Sequence, residues 1–175
     1  MGRSHIGTDW AIALAAGYLA TKVTEQAQVL LWRATPPSAR AREPRLPEGS
    51  SARQAARLVC DAAGIEPRPE RLGFMKRCIH YGLGLGWGSV YGFLRRRSRM
   101  RPLGAGIVAG ASMSLIVDET LNPALGITPP SEAYPASAHL RGFASHLVYG
   151  LALAGAAEGL HWLVERAGRR AARAS

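Results

Sequence analysis

Cysteine is nearly absent: the 175 residues hold two, Cys60 and Cys78, too few and too widely spaced for a disulfide scaffold or a paired-cysteine zinc site. Each reads as a free thiol, with a bond between them as the alternative if both face an oxidising side. Lysine is as scarce, Lys22 and Lys76 only, so nearly all of the 22 basic residues are arginine. Acidic residues number 12, which leaves a net charge of +10. The chain has no glycine period, which excludes collagen, and its 47% apolar content excludes intrinsic disorder. It has no internal repeat, Walker loop, zinc-finger spacing or nucleophile elbow, and Ile6 stands where a myristoylation signal needs Ser or Thr.

A basic chain first suggests nucleic acid. The arginines, however, cluster beside apolar runs, as in Arg95-Arg96-Arg97-Ser98-Arg99-Met100-Arg101 and Arg166-Ala167-Gly168-Arg169-Arg170-Ala171-Ala172-Arg173. An anionic cytoplasmic membrane face selects that placement, so the expected partner is a lipid bilayer and not a nucleic acid. Four apolar segments follow, at about 10–32, 74–94, 102–121 and 140–164. Their longest uncharged stretches, Cys78–Leu94, Pro102–Val117 and Gly142–Ala157, fall a little short of the roughly 20 residues of a spanning helix, so each span takes in polar residues near one end. The expected fold class is all-α: a polytopic membrane protein forming a single domain over 1–175, a four-transmembrane-helix bundle. A soluble four-helix bundle is the alternative.

Small residues favour the membrane. Gly84, Gly88 and Gly92 recur every fourth residue on the second segment, and Gly106, Gly110 and Ser114 on the third. Ala13 with Gly17, and Gly155 with Gly159, repeat the spacing on the first and fourth. Each Gly costs a water-exposed helix roughly 1 kcal/mol relative to Ala, whereas in lipid it permits close backbone packing. The same faces offer a surface for a second copy or for a partner in a membrane complex.

Charge asymmetry sets the orientation. The loop 95–101 has five Arg and the tail from Arg166 has four, whereas 122–139 has none. Both termini and 95–101 are then cytoplasmic. The long extramembrane loop 33–73 falls outside despite its eight Arg, partly offset by Glu43, Glu48, Asp61, Glu66 and Glu70. Within it Pro36-Pro37, Pro44 and Pro47 predict extended chain. Ser51–Ala63 predicts a short amphipathic helix capped by Ser51, able to lie on the membrane surface. Arg3 and the small residues after it resemble a secretory signal, but Lys22, Glu25 and the resumed apolar run Val29–Trp32 fit an uncleaved span better.

Placing ionisable groups by depth brings one layer into view. Glu25, His80, Asp118, Glu119 and His146, one or two from every span, fall within roughly 5–10 Å of the outer surface at 1.5 Å per residue, and Lys22 can reach them. Charges inside a span face one another or a water-filled cavity. The functional reading is an outward polar pocket that relays protons or binds a cation, with His80, His146 and Glu119 as candidate metal ligands. The structural reading is a hydrogen-bonded network pinning the helices. His80 and His146 also suit axial haem ligation, and Glu158-x-x-His161 copies one di-iron half-motif, though near the other end. Trp10, Trp32 and Trp162 sit at span ends, as indole in headgroups does, and Trp87 belongs to the core or the lipid face.

The stretch His80-Tyr81-Gly82-Leu83-Gly84-Leu85-Gly86-Trp87-Gly88-Ser89-Val90-Tyr91-Gly92 resembles the second-span motif of the YagU-like inner-membrane proteins of bacteria. Asp118-Glu119 with Pro123–Pro130, then Tyr134-Pro135, His139 and Ser145-His146-Leu147-Val148-Tyr149-Gly150, resemble that family's third-span exit, outer loop and fourth-span start. The resemblance covers the second half of the chain well and the long first loop hardly at all. It implies a small polytopic protein of the bacterial inner membrane with cytoplasmic termini, and it adds His139 to the candidate binding residues Glu25, His80, Asp118, Glu119 and His146. It implies no reaction and no cofactor, and some members carry His near position 118.

Three functions remain in view: a binding or transport module for a proton, cation or small polar molecule; a metal or haem redox protein; and a structural subunit whose polar layer only locks helices. The outer loop Ala124–Tyr134, stiffened by Pro129 and Pro130, either covers the pocket or merely bridges two helices.

Overall fold

A computed structural model describes residues 6–174. Arg3 and the Met1-Gly2 start, on which the signal and lipidation readings partly rest, lie outside them. The described residues form helices and connecting loops, with no strand. In chain order these are α1 (Ile6–Ala34), α2 (Pro37–Arg40), α3 (Ser51–Ala62), α4 (Pro69–Arg97) and α5 (Pro102–Met113). A π-helical stretch, Ser114–Leu121, continues α5 into α6 (Asn122–Ala124), and α7 (Ala136–Ala174) closes the chain.

Two helical stretches, Pro102–Ala124 and Ala136–Arg173, are long and apolar enough to cross a membrane. At 29 residues each, α1 and α4 have the length, roughly 44 Å. Lys22, Glu25 and the glutamines of α1, and the basic ends of α4, dilute their apolar character. By length and hydropathy, two of the four expected spans stand as candidates. All four long helices outrun the apolar segments assigned to them, because Arg, Glu and Ala are good helix formers and the backbone ladder continues past the apolar run.

The pattern of burial is inverted relative to a water-soluble bundle. Small side chains make much of the interior: Ala16, Ala20, Ala105 and Ala109 are fully buried, with Ile12, Tyr91, Met113, Val117, Tyr149 and Leu153 as the larger members. Large apolar side chains face outward, among them Leu140 at 69%, Leu30 at 64% and Phe93 at 61% exposure.

Glycine decides how closely the helices approach. A Cβ on Gly17 would stand 2.8 Å from the Gly84 carbonyl oxygen, and one on Gly88 would strike the Ala13 carbonyl. These positions set α1 against α4. On the other pair, a Cβ on Gly106 would lie 2.5 Å from the Gly150 oxygen, and one on Gly110 would overlap the His146 carbonyl. The expected small-residue faces are corrected at two points. Gly92, Gly155 and Gly159 meet nothing within 4 Å, and the residue of α7 that receives α5 is Gly150.

The segment after α1 is a packed cap. Pro36-Pro37 starts the single turn of α2 where extended chain was expected, since Pro suits a first helical position. Ser50, one residue earlier than expected, caps α3: it sits in extended conformation and accepts from the Arg53 amide. Ala56 and Cys60 of α3 bury against Leu72 of α4, with Met75 and Ile79 beside them. That face of α3 is occupied by protein, which corrects the expectation of an apolar face laid on a membrane. Glu43 and Arg141 then fasten the cap to α7 through two contacts of 2.8 and 2.6 Å, both side chains being largely buried. The Arg141 guanidinium also lies 4.8 Å from the Trp32 ring centre, with Arg40 at 5.2 Å. Cys60 is buried beside Met75 and Cys78 is exposed; both are free thiols.

Candidate functional site

The six candidate residues resolve into three histidine–carboxylate pairs, each joining two segments. Glu25 of α1 lies 3.2 Å from His80 Nε2 of α4. The same carboxylate accepts from the Tyr81 hydroxyl at 3.0 Å and from Lys22 Nζ at 2.5 Å, so its charge is neutralised within its own cluster. Asp118 meets His146 Nε2 at 2.7 Å, and Glu119 meets His139 Nδ1 at 2.7 Å, both across to α7.

Local backbone geometry allows the last two. Adjacent residues on an α-helix splay by about 100°, yet Asp118 and Glu119 both reach α7, at histidines two turns apart. Both lie within the π-helical stretch, whose wider turns carry an extra residue; such turns are rare and recur at functional sites. At the start of the outer loop, Gly126 adopts φ +68° and the Ile127 amide returns to the Asn122 carbonyl, ending α6. That turn carries Ser131 back over Glu119.

The two α7 histidines differ in their surroundings. His139 has an acceptor at each nitrogen, the Glu119 carboxylate and the Ser131 carbonyl at 3.1 Å. Both ring nitrogens therefore carry hydrogen unless the carboxyl itself is protonated. His146 is 9% exposed, and its Nδ1 is buried with no hydrogen-bond partner. In the outer loop, burial and then the charge of Glu43 raise the Tyr134 phenol above its ordinary pKa, which keeps it a hydrogen-bond donor.

Three adjoining cavities connect the pairs. The largest, 760 Å³, is lined by Glu25, His80 and Tyr81 with Arg33, Lys76 and Arg77. The second, 390 Å³, is lined by His80, Asp118 and His146 with Trp87 and Tyr149. The third, 270 Å³, lies under the outer loop at Asp118, Glu119, His139 and Tyr134. Ser51, at the start of α3, lines all three. Trp87 packs inward, its indole N–H donating to the Ala109 carbonyl at 2.9 Å, and Tyr149 donates to the Gly84 carbonyl at 2.5 Å.

The metal and haem readings fare less well. Among the described residues no three His, Cys, Asp or Glu side chains gather to hold an ion. Glu119 turns to His139, away from His80 and His146, and the Nε2 atoms of those two histidines are each held by a carboxylate. At the opposite end of the bundle, Glu158 is engaged by Arg95 at 2.8 Å and Tyr91 at 3.1 Å, while His161 stands 3.8 Å from Asp9, so Glu158-x-x-His161 does not close on one point.

Arg141, Glu43 and Tyr81 escaped the depth argument. Tyr81 and Arg141 border the polar segments, but nothing in the sequence ties Glu43 to a residue 98 positions away. No family model, curated protein or solved structure matches the chain.

Proposed function

We propose that this is an integral membrane protein of four spans, its termini cytoplasmic in a bacterial inner membrane, related to the YagU-like proteins. Its outward polar chamber binds or conducts a small polar solute, and the histidine–carboxylate pairs exchange protons with that solute. The observation that carries this reading is the convergence of three such pairs, from α1, α4, the π-helical stretch and α7, on adjoining cavities at one end of the bundle. The outward-facing large apolar side chains support a lipid surround. Imidazole beside carboxylate is suited to passing protons near neutrality.

A single cysteine tests the chamber. Ala138 lines the first and third cavities, so Ala138→Cys in a Cys78→Ser background should react with a charged, membrane-impermeant maleimide from one side of sealed vesicles only, the side opposite the C-terminal tail. No reaction before detergent is added would sink the reading.

One observation favours a second reading, a helix-locking subunit: every carboxylate of the layer already holds a histidine. Asp118→Asn retains an oxygen for His146 and separates the two. Loss of the charge-assisted bond lowers the melting temperature in either case, but only a binding chamber also loses the proton uptake that accompanies solute, read as a pH change in vesicle suspensions. Gly82, Gly86, Gly155 and Gly159, with open space beside them, suit a partner helix or a second copy in either case.

A further inference from the structure

The first and second cavities differ in the sign of their charge. Arg33, Lys76, Arg77 and Arg141 line the 760 Å³ cavity with the single carboxylate of Glu25. Among the described residues no Lys or Arg lines the 390 Å³ cavity, and its one carboxylate is Asp118. The other carboxylates around the layer each have a cation in reach. Glu25 holds Lys22 at 2.5 Å, Glu43 holds Arg141 at 2.6 Å, and Glu119 has the His139 ring, which donates at both nitrogens. Asp118 has the Asn122 amide at 3.4 Å and His146, which meets an acceptor at Nε2 alone. A neutral imidazole supplies that one bond. A carboxylate with no fixed counter-charge beside apolar walls is costly, and a cation relieves the cost.

The Asp118 carboxylate is within a ligand's reach. Its side chain is 36% exposed and borders the second and third cavities. A carboxylate accepts about four hydrogen bonds, and His146 and Asn122 account for two. The wall around it accepts more readily than it donates. The Thr21 and Thr24 hydroxyls donate to the Gly17 and Ala20 carbonyls at 2.8 Å, the Trp87 indole to Ala109, and the Tyr149 phenol to Gly84. These four donors are committed to backbone, which leaves their oxygen lone pairs and aromatic surface for an occupant.

Most of the remaining lining is apolar, including Ile79, Leu83, Met113, Val117, Leu121 and Ile127. One negative charge with apolar surface around it matches one ammonium head on a hydrocarbon body. An indole in the wall favours a cation over a neutral group of the same shape. An anion would meet Asp118 with no Lys or Arg to hold it, and a sugar would leave hydroxyls unpaired against apolar walls.

We infer that the 390 Å³ cavity binds a primary ammonium carrying an apolar body, its N–H groups on Asp118 and its hydrocarbon against Leu83, Met113 and Trp87. The inference rests on the binding reading above and names its solute class. The third cavity shares Ser51, Asp118 and Asn122 with the second, so the cation need not pass Arg33, Lys76 and Arg77.

The test is calorimetry on full-length protein in phosphatidylcholine nanodiscs, with empty nanodiscs as the blank. The probes are butylamine, hexylamine and 2-phenylethylamine, each beside the alcohol and the carboxylate of the same skeleton. At least one amine should bind, and its alcohol and carboxylate at least about tenfold more weakly, as loss of a charge-assisted hydrogen bond predicts. Asp118→Asn should weaken that amine by a similar factor. Asp61→Asn removes the same charge from the exposed face of α3 and should leave binding unchanged. Ala55→Lys adds a cation to the cavity wall with Asp118 in place, and should weaken the amine far more than Ala55→Met, of similar length. That pair decides the matter if Asp118→Asn does not fold. Binding of no amine, or of the alcohol or carboxylate as tightly, overturns the assignment. So does a folded Asp118→Asn protein that binds like the parent, equal weakening by Asp61→Asn, or equal effects of Ala55→Lys and Ala55→Met. The Ala138→Cys labelling keeps the two failures apart: labelled protein that binds no amine overturns this inference alone, and unlabelled protein overturns the chamber itself.

Discussion

Replacing Gly110 by alanine should destabilise the bundle and disturb the site at once. The added Cβ would overlap the His146 carbonyl oxygen and stand 3.0 Å from its carbon and 3.2 Å from the Leu147 Cα. All three atoms are backbone, so no side-chain rotation relieves the contact, and α5 and α7 must move apart. Overpacking of this kind costs about 1–3 kcal/mol. The same displacement pulls His146 from Asp118, now 2.7 Å away, and a hydrogen bond to a charged group contributes about 1.5–3 kcal/mol. The better helix propensity of Ala offsets about 1 kcal/mol. The net expectation is a loss of about 1.5–5 kcal/mol by these terms. Gly155→Ala is the matched control on α7: it meets nothing within 4 Å and should gain up to about 1 kcal/mol from helix propensity alone. Equilibrium unfolding of detergent-solubilised protein, followed by circular dichroism against added SDS, measures both. Equal stability of the two variants would refute the claim that Gly110 sets the α5–α7 approach.

Other substitutions probe separate parts of the argument. Glu43→Ala leaves the Arg141 guanidinium largely buried without its carboxylate, at about 3–5 kcal/mol for a broken buried pair, and limited proteolysis should cut 35–50 much faster. Ser50→Ala should cost about 0.5–2 kcal/mol through the lost cap of α3, while Ser51→Ala should cost far less; equal effects would return the cap to Ser51. Tyr149→Phe removes the buried bond to the Gly84 carbonyl and should lower stability by about 0.5–1.5 kcal/mol without altering helix content.

Much of this architecture is legible along the chain, because it rests on local signals. Helix-forming apolar runs with arginine at their ends predict long helices, and four-residue spacing of Gly identifies Gly17, Gly84, Gly88, Gly106 and Gly110 as contact positions. Depth counting also placed Glu25, His80, Asp118, Glu119 and His146 in one layer, since rise per residue is nearly constant in a helix. Tertiary structure alone decided the pairing. Whether Asp118 or Glu119 takes His146 depends on the wider turns at Ser114–Leu121, which no composition or period announces. Whether a glycine face meets another helix or open space depends on which helices become neighbours, so Gly150 is packed and Gly155 is not. The cap was hidden for the same reason. Glu43 and Arg141 are 98 residues apart, and a contact of that separation leaves no periodic trace; it exists because packing brings α1, α7 and the start of α3 around one space.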